Sequence, residues 1–206
     1  MKDLHVISHD RIGKVDGPWK MDQLERTERS PFDKIEGRMD ILCLDVSVFI
    51  TQESRSELPI LTDETRKTLQ EANWPDTVIN DLTSEAEAKI YLDAGLEPRD
   101  DVNGKPALVR TDIDPDQKDR IGQTNLERMQ SGRAPLDKEG KPIELHHIGQ
   151  KQDSCLAELT GREHIGNGND NILHNKTKES EINRDGFSKE RAEHWKARAE
   201  DFEKRI

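Results

Sequence analysis

The chain is organised around the stretch Ile143-Glu144-Leu145-His146-His147-Ile148, in which two adjacent histidines lie inside a short apolar run. The alternation of apolar residues predicts a β-strand. Successive side chains of a strand point to opposite faces, so we expect the two imidazoles on opposite sides of it. Neutral imidazole binds divalent metal ions, and its pKa lies near neutral pH. The pair therefore predicts a division of labour, in which one histidine binds a metal ion and the other activates a water molecule.

Two further histidines follow this strand. Thr160 and Glu163 have the spacing of a capping box, which predicts a short helix with His164 in its first turn. Residues 166–171 are too rich in glycine and asparagine to stay helical, so we expect them to form a loop that leads to His174. A strand, a turn and a helix with histidines at both ends are typical of a site for a single metal ion.

The chain before this segment mixes helices with strands. Alternating apolar residues at positions 41–50 predict a strand. Helix start signals occur at Thr62, Pro75 and Ser84, the last with a glutamate three residues later that completes a capping box. The pair Asn103-Gly104 predicts a tight hairpin turn.

Two more helices are predicted closer to the histidines. Thr124 and Glu127 form another capping box, which indicates a short helix ahead of the histidine strand. Apolar residues at steps of three and four after a cap at Ser188 predict a long final helix that packs through Trp195, with His194 off the apolar stripe.

The composition restricts the classes of protein. No apolar run reaches the length of a membrane span, and no apolar signal core follows the first residues, so we predict no membrane span and no cleavable signal peptide. The two cysteines, Cys43 and Cys155, lie far apart in the sequence, which argues against a disulfide framework or a cysteine-rich zinc site.

The net charge of −11 argues against a nucleic-acid partner, but residues 133–206 hold 14 Lys and Arg against 15 Asp and Glu. The acidity therefore belongs to the front of the chain.

The order of motifs from residue 125 to residue 174 resembles the LHH branch of the HNH/endonuclease VII superfamily. The resemblance implies a ββα-metal fold with the histidine pair on its first strand. Such domains are similar to the nuclease tips of bacterial polymorphic toxins, which cut nucleic acid in a competing cell and are neutralised by an immunity protein. The matching segments are Asn125-Leu126-Glu127-Arg128-Met129, residues 140–150, Asp153-Ser154, residues 156–160, Glu163-His164, Gly168-Asn169 and Ile172-Leu173-His174.

The resemblance also implies roles for individual residues. His146 is expected to bind the metal ion, with His164 as the second ligand. His174 is either a third ligand or a phosphate contact, and His147 is expected to act as the general base. Glu144 is either a carboxylate that takes part in catalysis or orients a ligand, or a solvated surface residue. We expect one divalent ion, either Mg²⁺, Mn²⁺, Zn²⁺ or Ni²⁺. Further candidates for orienting groups or phosphate contacts are Asn169, Asn171 and Lys151.

These observations predict an α+β chain with a C-terminal ββα-metal, HNH-like nuclease domain behind a small acidic module of helices and a hairpin. The predicted division is a lead-in at 1–60, a helical and hairpin module at 61–123, and an LHH/HNH nuclease domain at 124–206. The predicted function is a metal-dependent endonuclease that hydrolyses phosphodiester bonds of DNA in preference to RNA, as the effector domain of an antibacterial toxin. Its expected partners are nucleic acid, an immunity protein, and a secretion apparatus or adaptor bound through the N-terminal part.

Three alternatives remain open at this stage. The first concerns location: we expect synthesis in the bacterial cytoplasm, and the protein then either stays there or is secreted or delivered into a target cell. The second is a phage or mobile-element HNH endonuclease that acts in its own cell instead of a toxin. The third lies outside the nucleases and is a non-catalytic metal-binding interaction module.

Overall fold

A computed structural model describes residues 58–204 of the chain. The strand predicted at positions 41–50 lies outside the described residues. Helices and strands are mixed, which confirms the predicted α+β class. In chain order the elements are α1 (Asp63–Glu71), α2 (Asp76–Asp81), α3 (Glu85–Asp93), β1 (Glu97–Val102), β2 (Lys105–Val109), α4 (Asn125–Gln130), β3 (Glu144–His147), β4 (Leu156–Leu159), α5 (Gly161–Ile165), α6 (Asn169–Leu173) and α7 (Arg184–Glu203).

The first three helices begin where the sequence predicts. The side chain of Thr62 caps α1, Pro75 precedes α2, and Ser84 caps α3 by accepting a hydrogen bond from the backbone N–H of Glu87. The second half of the capping box predicted at Ser84 is wrong, because the carboxylate of Glu87 does not return to the Ser84 backbone. It accepts hydrogen bonds instead from Thr83, from the hydroxyl of Tyr91 and from the backbone N–H of Gly149. This buried carboxylate thus ties α3 to the turn that follows the histidine pair.

The hairpin turn is confirmed, with both Asn103 and Gly104 at positive φ. Strands β1 and β2 form the hairpin and belong to a four-stranded sheet in the order β1-β2-β4-β3. Strand β4 pairs parallel with β2 and antiparallel with β3. Among the strands of residues 58–204, the histidine strand β3 therefore lies at an edge of the sheet.

The register of β3 on β4 separates the two histidines. His146 lies opposite Ala157, and His147 lies opposite Leu156. Ala157 belongs to a hydrophobic cluster with residues of α1–α3 and α6, whereas Leu156 belongs to a second cluster that includes Trp195 of α7. The side chains of a pleated pair alternate between faces, so His146 faces the first cluster and His147 faces α7, as the sequence predicts.

The first cluster joins helices from the front of the described region to β4 and α6. Leu69, Ile79 and Tyr91 pack in it together with Leu159 and Leu173. The predicted division at residues 61–123 and 124–206 stays a prediction, because shared side-chain packing does not define where one folding unit ends. Within residues 58–204, no helix combines the length and apolar character required to cross a bilayer.

Two predictions in the second half are wrong. A loop is expected at residues 166–171, but the chain breaks only where Asn167 and Gly168 adopt positive φ, and residues 169–173 form helix α6. Helix α7 begins earlier than predicted, because Asn183 rather than Ser188 caps it. His194, placed off the apolar stripe, is nevertheless buried and lies 2.8 Å from a carboxylate oxygen of Glu158.

Candidate active site

Three histidines from separate elements converge beside β3. His146 comes from β3, His164 from α5, and His174 follows α6 directly. One ring nitrogen from each lies within 4.8 Å of the others. Nε2 of His164 is 3.2 Å from Nδ1 of His146. Two imidazole nitrogens bound to one tetrahedral ion at ~2.0–2.1 Å lie about 3.3 Å apart, so the geometry and chemistry of this donor set fit a divalent metal ion.

The imidazoles of His164 and His174 each contact a carboxylate. Nδ1 of His164 lies 2.5 Å from Oε2 of Glu144, and Nδ1 of His174 lies 2.9 Å from Oδ1 of Asp170. Burial and the neighbouring His164 lower the pKa of His174, and the lowered pKa favours the neutral imidazole. Asp170 acts in the opposite direction. Metal-binding histidines commonly direct their second ring nitrogen to a carboxylate in this way.

Local structure fixes the position of His164. The capping box predicted at the start of α5 is confirmed: Thr160 accepts from the backbone N–H of Glu163, whose carboxylate accepts from the backbone N–H of Thr160. The side-chain amide of Asn169 donates to the carbonyl oxygen of Glu163 at 2.6 Å. These bonds anchor the short helix that carries His164.

His147 has a different environment on the opposite face of β3. Its Nε2 lies 3.0 Å from Oε2 of Glu190 on α7, and its ring centroid lies 4.5 Å from that of Phe187. The other oxygen of Glu190 accepts from Nζ of Lys105 at 2.5 Å. Burial holds the pKa of His147 below its ordinary value, although Glu190 acts in the opposite direction. The lowered pKa favours the neutral imidazole, which is the form that can accept a proton.

All four histidines line one cleft of about 370 Å³. Because β3 is an edge strand, residues on both of its faces reach the same opening. Besides the histidines, the lining includes Gln150, Phe187, Arg184 and Arg191. The arrangement places a metal-binding donor set and a separate neutral imidazole around one volume.

The structure brings together the predicted histidines and Glu144, but it places the other candidates elsewhere. Asn169 bonds to the α5 backbone, Asn171 lies 3.2 Å from Nζ of Lys176, and Lys151 lies 3.9 Å from Asp81. None of the three candidates is among the residues that line the cleft. Their roles as orienting groups or phosphate contacts stay predictions.

Sequence reasoning missed two carboxylates of the site. Asp170 precedes His174 by four residues, a spacing that brings side chains together on a helix, but residues 166–171 were expected to form a loop. Glu190 has no comparable local signal, because its histidine partner is 43 residues away.

Comparison with known families agrees with this geometry. Residues 124–201 match the model of the LHH family, described as a nuclease of the HNH/ENDO VII superfamily with conserved LHH. Leu145, His146 and His147 supply such a triplet within the matched residues. The match confirms the resemblance found in the sequence. No solved structure matches the chain.

Proposed function

We propose that this protein is a metal-dependent endonuclease that hydrolyses phosphodiester bonds of DNA in preference to RNA, because residues 124–201 match a family of nucleases of the HNH/ENDO VII superfamily. One observation carries the proposal. Nitrogen atoms of His146, His164 and His174 lie within 4.8 Å of one another, and His147 lines the same cleft. A metal-binding donor set beside a neutral histidine is what metal-assisted hydrolysis requires.

In this proposal His146, His164 and His174 hold one divalent ion. His164 and His174 use Nε2, because Nδ1 of each is engaged by a carboxylate. When bound, the ion supplies positive charge that stabilises the phosphate and the departing oxygen. Three imidazole nitrogens favour Zn²⁺ or Ni²⁺ over Mg²⁺, which prefers oxygen donors. Glu144 acts as a positioning residue that fixes the ring of His164.

His147 is the general base. With Nε2–H donated to Glu190, the lone pair of Nδ1 is available to take a proton from the attacking water molecule. The neutral state of the imidazole, favoured by burial, suits this role at pH 7. Phosphodiester cleavage then needs no side-chain nucleophile.

We also propose that the nuclease is the effector of an antibacterial toxin, made in the bacterial cytoplasm and delivered to a target cell. Its partners would be an immunity protein and, through the N-terminal part, a secretion apparatus or adaptor. The support is the similarity of the 125–174 motif order to toxin nuclease domains. Growth arrest on expression in a bacterial cytoplasm, relieved by co-expression of the gene next to it, tests this role.

Plasmid cleavage tests the enzymatic proposal. Purified protein freed of metal is incubated with supercoiled plasmid and Mg²⁺, Mn²⁺, Zn²⁺ or Ni²⁺ in turn, beside a sample with EDTA. We expect nicking with at least one ion, no nicking with EDTA, and none by the His147→Ala variant.

Circular dichroism and metal binding by the same variant serve as controls, because His147→Ala should keep both. Absence of cleavage of both DNA and RNA by the wild type with every ion contradicts the proposal. Tight metal binding without turnover then favours the non-catalytic module.

A further inference from the structure

The charge of the catalytic cleft differs from that of the whole chain. Asp and Glu make up 43 of the 206 residues, and the net charge is −11. Among residues 58–204, no Asp or Glu lines the cleft itself, although Glu144, Asp170 and Glu190 contact its histidines, and the lining includes Arg184 and Arg191. Three other surface cavities each include at least two acidic residues, such as Asp112 and Glu139 in one of them. Basic residues line those cavities as well, but there they are interleaved with carboxylates, whereas the two arginines of the cleft face no carboxylate in its lining.

The two arginines lie on one face of α7. Positions 184, 187 and 191 are three and seven residues apart, so their side chains project from the same side of the helix. Arg191 lies over the ring of Phe187, with 5.0 Å between its guanidinium carbon and the ring centroid. Phe187 in turn contacts His147. Phe187 therefore links the guanidinium of Arg191 to the proposed base, and all three residues line the cleft.

Stacking keeps the hydrogen-bond donors of Arg191 available. A guanidinium that packs through its flat face still presents its N–H groups at the edge, where they can bind phosphate oxygens in pairs. Within residues 58–204, Arg184 and Arg191 form no ion pair, and both are exposed. Arg128 and Arg198, by contrast, are neutralised by Asp119 and Glu158.

We propose that Arg184 and Arg191 bind two phosphate groups of the substrate strand that lie on opposite sides of the scissile phosphate, about three nucleotide steps apart. The site would take a polyanionic sugar–phosphate backbone, whose phosphate oxygens are suitable acceptors for the paired N–H donors of a guanidinium group. Seven residues of helix separate the two positions by ~10 Å along the axis. That distance is about three nucleotide steps of a strand that rises ~3.4 Å per nucleotide. The inference rests on the proposed nuclease function and adds its substrate-binding surface.

The test compares two double variants that each remove two positive charges. Arg184→Gln/Arg191→Gln alters the cleft, whereas Arg120→Gln/Lys189→Gln alters exposed residues outside its lining. Lys189 lies on α7 itself, so the control also shows whether a substitution on this helix changes DNA binding for reasons other than the cleft. Binding to a short fluorescein-labelled DNA duplex is measured by anisotropy in EDTA over a range of salt concentrations. Cleavage kinetics are measured separately with the active metal ion.

We expect the cleft variant to bind about tenfold more weakly, with a slope of log affinity against log salt that is less steep by about 1.4–1.8. Its KM should rise while kcat stays within about twofold, because the proposed metal ligands and base are intact. The control variant should match the wild type in all three measurements.

The inference is overturned if the cleft variant keeps the affinity and salt slope of the wild type, or if the wild type does not bind the duplex. Failure of the nuclease proposal gives a different result. In that case no nucleic acid is cleaved, while the salt slopes of the two double variants still decide whether Arg184 and Arg191 bind phosphate.

Discussion

Nε2 of His147 lies 3.0 Å from Oε2 of Glu190, although the two residues are 43 positions apart. Strand β3 supplies the imidazole and helix α7 supplies the carboxylate. A carboxylate that accepts from Nε2–H selects the tautomer with an unprotonated Nδ1. In the proposed mechanism, the orientation of the general base therefore depends on a helix outside the strand that carries it.

Removing this carboxylate should slow turnover. We expect Glu190→Ala to lower kcat about tenfold to a hundredfold, because the imidazole loses the group that fixes its tautomer and ring orientation. KM and metal affinity should stay near those of the wild type. Steady-state cleavage of a short duplex gives the first two values and titration with a chelating dye gives the third. Glu193→Ala, which removes another carboxylate of α7 paired with Lys196, is the matched control. An unchanged kcat in Glu190→Ala would show that Glu190 does not position the base.

Loss of Glu144 should weaken metal binding. Its carboxylate lies 2.5 Å from Nδ1 of His164, but its side chain is 44% exposed. Water can partly replace it, so Glu144→Ala should lower metal affinity by about tenfold, the lower end of the range for such partners. Competition with a chromophoric chelator measures the change. Glu139→Ala removes an exposed carboxylate paired with Lys141 and should have no effect. Equal affinities in both variants would contradict the positioning role.

The sequence predicts those parts of the fold and site that depend on near neighbours. The caps at Thr62, Thr124 and Thr160 and the Asn103-Gly104 turn are set within three or four residues, and all are confirmed. The convergence of the histidines follows from the order of motifs, which the LHH match covers.

Longer-range features were not predictable. Glu190 is one of 43 acidic residues, and only the packing of α7 selects it as the partner of His147. Residues 169–173 become helical despite their composition because Ile172 and Leu173 are buried in the core. Tertiary burial thus overrides the local preference for a loop.

Acid should destabilise the protein through Glu158. Burial raises the pKa of this fully buried carboxyl, but Arg198 and His194 act against burial and hold the pKa below its ordinary value of 4.5. Its contribution to stability is therefore present above pH 4.5 and is lost as pH falls through the lower, folded-state pKa. Glu158→Gln should cost about 3–5 kcal/mol at pH 7, because it leaves Arg198 buried without its charge partner.

Urea denaturation between pH 7 and pH 3 measures the effect. The free energy of unfolding of Glu158→Gln should fall less steeply with acid than that of the wild type. Parallel pH profiles for the two proteins would contradict this assignment.

The turn after the histidine pair should tolerate no side chain at Gly149. Its φ is +68°, its N–H donates to Glu87, and a Cβ there would overlap the carbonyl oxygen of Asp81. Gly140 has a similar φ of +77° with open space around it, so Gly140→Ala isolates the cost of backbone strain. We expect a loss of about 1 kcal/mol for Gly140→Ala and about 3 kcal/mol for Gly149→Ala, measured by urea denaturation. Equal losses would mean that the turn can move away from Asp81.

The thiol of Cys155 should be unreactive in the folded protein. Burial and the nearby Asp81 raise its pKa to about 11, so at pH 8 its thiolate fraction is about a hundredfold or more below that of an ordinary thiol. Modification by Ellman's reagent in a Cys43→Ser background measures the rate for this cysteine alone. The rate in urea is the reference, and a native rate close to it would contradict the prediction.

The carboxylate of Glu158 also determines how the protein opens. It accepts hydrogen bonds from Arg110, His194 and Arg198, which lie 48, 36 and 40 residues away. Detaching α7 alone would separate this buried carboxylate from His194 and Arg198, so we expect opening at α7 to carry a substantial free-energy cost. We therefore expect helix α7 and strand β4 to open together and their amide hydrogens to exchange with solvent at similar rates. In the proposed mechanism, the base and its carboxylate then keep their alignment as long as α7 stays packed on β4.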